Sequence, residues 1–280
     1  EVPQLRGVFD PRLGRWTPLR PMRHRRSFAA SAVLGGCVYV CGGFEDRDVA
    51  QNSFERFSFA TAEWTVLPPM LEARANAQMF AVEDCLYVAG GSHSPEQDRF
   101  TVERFSPDLR AWTGIFAYPR RWSFGAHAVH GQCLYACGGI EENLPVADAL
   151  RLRHGSGDWE ALPPMTTARW GAVAGATPAG DIVVCGGFCA CRYISRPVMS
   201  VECFRIKPGL CQQLRSMPVN HSFPGAVTFL GHLYILGGTS EQGATSSAVR
   251  LDLGSEIWEH LPPMPEKLVG SAYVALPPRD

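Results

Sequence analysis

The chain has 280 residues, 46% of them hydrophobic and 19% charged, with a formal net charge of −1. That length supports a large buried core, and that composition excludes a chain dominated by disorder. A near-neutral balance with one basic cluster, Arg20 to Arg26, reads as a solvated loop rather than a nucleic-acid footprint, and no apolar run approaches the ~20 residues of a membrane-crossing helix.

From the N-terminus, RGVFDPRLGRWTPL (6–19) reads as two strands around a turn. The next segment shows the full pattern. SFAASAVL (27–34) is a predicted strand, Gly35-Gly36 a tight hairpin turn, and CVYVC (37–41) a second strand. FERFSF (54–59) alternates apolar and charged residues with period two, as a third strand should. A fourth begins at Trp64 and ends before Pro68-Pro69, which cannot continue a sheet ladder.

This unit recurs. Glycine doublets close an apolar run at Gly43, Gly91, Gly139 and Gly187, 48 residues apart, and again at Gly238, after 51. Trp16, Trp64, Trp112, Trp159 and Trp258 keep the same beat, and the 99-residue gap before the last places Cys211 where a sixth tryptophan is expected. That substitution predicts a poorly filled blade unless a neighbour compensates. VERF (102–105) and VECF (201–204) echo FERF, with degenerate copies at 6–9, 149–152 and 248–251; LPPM follows the tryptophan at 67–70, 162–165 and 261–264. First strands are small, as in GAHAV (125–129) and GAVAGA (171–176), whereas second strands are continuously apolar. Small first strands and fully buried second strands suit four-stranded sheets packed radially about an axis.

The doublets, the tryptophans and the period together resemble Kelch repeats along the whole chain. The resemblance implies an all-β, six-bladed β-propeller forming a single domain over 1–280. The expected blades are 24–68, 73–116, 120–162, 168–214 and 220–261, plus a split blade of 267–280 with 1–20. The ends, GSAYVALPP (270–278) as a first strand and 6–19 as the third and fourth, would close it by pairing. On the common spacing its second strand falls just upstream of Glu1; otherwise this blade has three strands.

Chemistry is sparse. His127 and His130, three apart on a strand, face opposite sides and make a poor metal pair. Cys189 and Cys191 lie on a predicted loop, but Cys185 falls within a buried strand, and only Cys203 offers a fourth ligand. Ten cysteines, several in apolar strands such as CLYAC (133–137), read as free thiols in a reducing, cytoplasmic setting. Neither a nucleophile elbow nor a phosphate-cradling loop is present. The expectation is no metal, no cofactor and no catalysis.

In Kelch propellers the ligand face is commonly made by loops joining strands two and three and by loops linking successive blades. Carried over by position, the resemblance puts Arg26, Ser27, Arg74, Asn76, Trp122, Ser123, Arg169, Trp170, His221 and Ser222 on inter-blade loops. Phe44, Ser92 and Phe188 begin the loops after the doublets. Arg26, Arg74 and Arg169 share one repeat position, so a structural role weighs equally with binding. Trp122, Trp170 and Phe188 depart from the repeat and are the better candidates for specificity. The segment 188–200 spends 13 residues where its counterparts after Gly43 and Gly91 spend ten, and carries Arg192, Tyr193 and Arg196. Arginine grips carboxylates bidentately, so an acidic protein or peptide is the expected partner. The resemblance is closest to BTB–Kelch adaptors, which implies substrate recognition for a cullin-3 ubiquitin ligase through an upstream BTB domain. A cytoskeletal or actin-associated scaffold is the first alternative and a copper-oxidase-like enzyme the second. Neither nucleic acid nor membrane is expected as a partner.

Overall fold

A computed structural model describes residues 7–11, 13–45, 49–94, 97–98, 101–117, 124–142, 144–153, 158–191 and 194–275. Every regular element among them is a β-strand. Five four-stranded antiparallel sheets follow chain order, strand beside strand. The first blade comprises Ala30–Leu34, Cys37–Cys41, Phe54–Ser58 and Glu63–Leu67. The second comprises Gln78–Val82, Cys85–Ala89, Thr101–Ser106 and Ala111–Ala117. The third has Ala126–His130, Cys133–Cys137, Ala149–Arg153 and Trp159–Leu162. The fourth has Val173–Ala176, Ile182–Cys185, Val201–Arg205 and Leu210–Leu214. The fifth has Gly225–Phe229, His232–Leu236, Ala248–Asp252 and Trp258–His260. Two compact units divide them: 1–119 with 270–280 holds the first two blades, and 120–269 the other three.

Among the described residues the structure therefore has five blades, not six. Gly7–Asp10 and Arg15–Pro18 pair only with each other, as a two-stranded hairpin. Residues 270–275, expected to supply that blade's first strand, form no strand. A ladder needs an adjacent strand with free N–H and C=O groups. Among the described residues no strand lies beside Gly7–Asp10 other than Arg15–Pro18, so the pair stays a hairpin. Counting tryptophan positions counted this partial repeat as a blade.

Inside the blades, residue chemistry explains the pairing. Gly35 and Gly36 have φ of 55° and 69°, the two positive values that a type I′ hairpin turn demands. Second strands are the driest elements: Leu86, Val88, Ile182, Val184, Leu233 and Ile235 are all 0% exposed. In the first unit, Trp112 of the second blade packs edge-on against Phe54 of the first, with ring centroids 5.0 Å apart, beside Phe105. Such ring pairs add about 0.5–1.5 kcal/mol beyond area burial. In three repeats the indole N–H then reaches back one repeat: Trp64 Nε1 donates to Arg20 O (2.9 Å), Trp112 to Pro68 O (3.0 Å) and Trp258 to Arg215 O (3.1 Å). The N-terminal hairpin leads into Arg20, so it meets the first blade as a full blade would. Where Cys211 replaces the tryptophan, its thiol donates to the Glu202 carboxylate at 3.4 Å, and Ile206 shares the apolar contact.

Candidate functional site

The loops that carry the predicted site residues are tied down by the glycine doublets. Gly42 and Gly43 have φ of 63° and 91°. A Cβ on Gly42 would overlap the carbonyl oxygen of Arg74, and one on Gly186 would sit 2.5 Å from that of His221. Only glycine lets the two backbones come so close. The second glycine closes the joint with its amide: Gly43 N donates to Arg74 O (2.9 Å), Gly139 to Arg169 O (2.7 Å), Gly187 to His221 O (3.4 Å) and Gly238 to Leu268 O (2.6 Å).

Arg26, Arg74 and Arg169 point into their blades. Arg74 Nη1 donates to the carbonyls of Gly90 (2.8 Å) and Thr101 (3.1 Å), and Nη2 to Glu103 at 2.6 Å. Arg26 repeats this on Gly42, Ser53 and Glu55, and Arg169 on Gly186, Ser200 and Glu202. All three guanidinium side chains are 0% exposed. The partner carboxylates lie on third strands, in the alternating motif whose charged positions read as solvent-facing, yet Glu55, Glu103 and Glu202 are at most 1% exposed. Each also accepts two backbone amides from the loop before its arginine: Arg23 and His24, Leu71 and Glu72, Thr166 and Thr167. Burial alone would raise the Glu55 and Glu202 carboxyls. The amide donors and the neighbouring arginine outweigh it and hold both below the ordinary carboxylate range.

The staple is present whole or absent whole. Where the arginine position holds Trp122 or His221, the glutamate position holds Leu150 or Val249. The first amide donor is then a proline, Pro119 or Pro218, which has no N–H to leave unanswered. Removing one member of a buried pair strands a charge; removing all of them leaves nothing unpaired.

His221 fills the arginine's place in the fifth blade at 0% exposure. Its Nδ1 lies 2.6 Å from Gly237 O; a carbonyl only accepts, so Nδ1 carries the proton, leaving Nε2 3.5 Å from Ser247 Oγ. Burial, with a small contribution from His260, lowers its pKa below the ordinary 6.5. The unfolded chain gains a proton near pH 6.5 that the folded chain refuses, so stability is full above that pH and falls below it, by at most about 1.4 kcal/mol per pH unit per group. His127, pushed by burial to about 4, acts in the same direction. In urea titrations between pH 7.5 and 5, His221→Gln is expected to lose less stability than the parent chain. Parallel profiles would show that His221 takes up its proton while folded.

The remaining described loop positions are partly exposed. Phe28, Asn76, Phe124 and Phe223 hold left-handed φ of 54°, 57°, 55° and 50° at one repeat position, which Gly171 and Gly270 occupy elsewhere. Their backbones hydrogen-bond in relay: Phe28 N to Gly270 O (2.7 Å) and Asn76 N to Phe28 O (2.9 Å) in one unit, Gly171 N to Phe124 O and Phe223 N to Gly171 O (both 3.0 Å) in the other. For phenylalanine this conformation costs about 1–2 kcal/mol. In the unit 120–269 these rings gather with two more. Trp170 lies 5.3 Å from Phe188 and from Phe223, and Phe124 lies 5.8 Å from Trp170 and 6.1 Å from Phe223. All four are partly exposed. In the other unit, Phe44 pairs edge-on with Phe28 at 6.2 Å, and Ser27 bridges to Phe44.

The predicted residues thus divide. Arg26, Arg74, Arg169 and His221 are internal, and Ser222, 1% exposed, donates to Gly187 O. Ser27, Phe44, Asn76, Trp170 and Phe188 are partly exposed. Ser92 begins a short strand, Ser92–Ser94. Trp122, Ser123, Arg192 and Tyr193 lie outside the described residues. The segment read as a long loop is a β-hairpin, Phe188–Cys191 with Ile194–Pro197, so Cys189 and Cys191 sit on a strand. Phe124 and Phe223 were missed as site residues; their signal was the recurring Ser-Phe before the first strand. Among the described residues, no three His, Cys, Asp or Glu side chains gather as metal ligands.

Comparison with known proteins accounts for this repeat. The Kelch motif matches residues 25–71, 73–115 and 221–265. These are Kelch repeats. They cover the first, second and fifth blades, and the third and fourth share their glycine joints. The Kelch repeat protein C2 of vaccinia virus (strain Western Reserve) is 30% identical over 109 residues, 39% of this chain and 21% of that protein; the Copenhagen strain's protein matches equally. The chain therefore spans about a fifth of those relatives' length. A solved structure, that of YjhT, superimposes with a TM-score of 0.79 at 16% identity, covering 89% of this chain and 88% of that one. That likeness speaks for the fold alone.

Proposed function

We propose that this Kelch chain is a non-catalytic protein-binding module whose contact surface is the aromatic loop cluster of residues 120–269. The observation that carries the reading is the set of partly exposed rings of Phe124, Trp170, Phe188 and Phe223, two of them held in a strained backbone. Strained residues mark functional sites, and large aromatics dominate interface energetics. Binding residues also concentrate on loops fixed by a rigid scaffold. The resemblance to BTB–Kelch adaptors supports a finer role: substrate recognition for a cullin-3 ubiquitin ligase in the cytoplasm.

Affinity capture with the full-length protein tests both levels. Cullin-3 and a ligand protein should be recovered together. Trp170→Ala and Phe188→Ala should each weaken the ligand by roughly 30-fold or more, the scale of a hot-spot truncation, without loss of cullin-3. Recovery of actin filaments without cullin-3 would favour a cytoskeletal scaffold. Ligand binding unchanged in both variants would place the contact surface elsewhere.

A further inference from the structure

We infer that the joint between the third and fourth blades takes a small, uncharged aromatic molecule in the space of side chains that its sequence omits. This site is independent of the protein-binding reading above. The joint between the first two blades shows what the repeat ordinarily packs there. Phe54, 0% exposed, lies 5.7 Å from Tyr39, 4.9 Å from Phe105 and 5.0 Å from Trp112. Met79 belongs to the same core.

Strand register matches the two joints position by position. Tyr39, Met70 and Phe105 recur as Tyr135, Met165 and Phe204. Three large side chains do not recur. Phe54, opposite Cys41, becomes Ala149, opposite Cys137. Met79, opposite Val88, becomes Ala174, opposite Val184. Trp112, opposite Phe105, becomes Cys211, opposite Phe204. One core thus lacks two rings and a thioether chain. Ile206, standing where the second blade has Pro107, restores only part of that volume.

The main chain keeps the blades from closing the gap at their loop end. Gly43 N donates to Arg74 O at 2.9 Å in the first joint, and Gly139 N to Arg169 O at 2.7 Å in the other. The backbones stand equally close there, so the deficit falls among the side chains. Cys211 and Ile206 are partly exposed, which opens the space to solvent. An apolar cavity of about 150 Å³ stays dry and takes up benzene. A flat ring suits this one, because Tyr135 and Phe204 remain as walls and aromatic groups pair edge-on or offset. An ion does not. Glu202, beside Cys211, is already answered by Arg169, by the amides of Thr166 and Thr167 and by the Cys211 thiol. A charged ligand would therefore be buried without a partner.

Isothermal titration of the purified chain with indole, the ring that Cys211 replaces, tests the site. Indole should bind with a dissociation constant of about 1 mM or tighter. Benzoate, of similar size but charged, should bind at least about 10-fold more weakly. Cys211→Trp refills the space, so it should weaken indole at least about 10-fold while the thermal midpoint holds or rises. Ala149→Phe fills the space from the facing blade and should act in the same way. Absence of indole binding, binding that survives both variants, or benzoate binding as tightly as indole would each overturn the inference. So would a marked loss of stability in both variants, since the blades would then have closed over the missing side chains.

Discussion

Arg74→Ala is expected to destabilise the unit holding the first two blades by about 3–5 kcal/mol, the usual cost of leaving a buried carboxylate unpaired. Glu103 would remain at 1% exposure with its main cation gone, and the carbonyls of Gly90 and Thr101 would each lose a donor. Glu103→Ala should also destabilise, since it strands the amides of Leu71 and Glu72 and removes the nearer of the guanidinium's two carboxylate partners, leaving Glu72 at 3.3 Å. The double replacement Arg74→Met with Glu103→Leu should recover much of the loss. The fifth blade gives the reason: Val249, 0% exposed, sits where the glutamate would be, with Pro218 in place of an amide donor. Adding Leu71→Pro to the double variant imitates that arrangement and removes one stranded amide. Urea denaturation of the single, double and triple variants measures the coupling; strictly additive losses would show that the pair is not an energetic unit.

Gly42→Ala should be the most damaging single methyl addition in the first blade, at more than about 3 kcal/mol. Two effects combine. Alanine is disfavoured at a φ of 63°, and its Cβ would meet the carbonyl oxygen of Arg74, a backbone atom that cannot rotate away. Gly35→Ala is the matched control. Its φ of 55° carries the same conformational penalty, but nothing lies within 4 Å of the added carbon, so a loss near 1 kcal/mol is expected. Denaturation midpoints of the two variants check this, and equal losses would mean that the inter-blade contact yields easily.

Most of the strand layout was legible in the sequence. The doublets and tryptophans fixed the period, and the strands centred on Ala32, Tyr39, Arg56 and Thr65 lie where the pattern puts them. The blade count was not, because a partial repeat carries the same tryptophan as a full one. Trp16 marks a third-and-fourth-strand hairpin as faithfully as Trp64 marks a whole sheet. The destination of the repeat arginines was also hidden. A charged residue in an alternating strand reads as exposed, and only the fold shows that Glu55, Glu103 and Glu202 turn inward to meet Arg26, Arg74 and Arg169. The clue was in the sequence as covariation within the repeat, arginine with glutamate and neither with proline, but its meaning needed geometry. The aromatic cluster was half visible. Trp170 and Phe188 stood out as breaks in the repeat, whereas Phe124 and Phe223 did not, since the Ser-Phe they share resembles an ordinary strand start.

The glycine joint between successive repeats has one further consequence. It is made by main-chain atoms on both sides, and it forms alike whether the accepting residue is Arg74, Arg169, His221 or Leu268. Side-chain identity is thus irrelevant to the coupling, and each repeat behaves as an exchangeable part with standard fittings. Duplication or recombination of whole repeats would preserve these fittings, leaving the outward loops free to diverge in sequence and length.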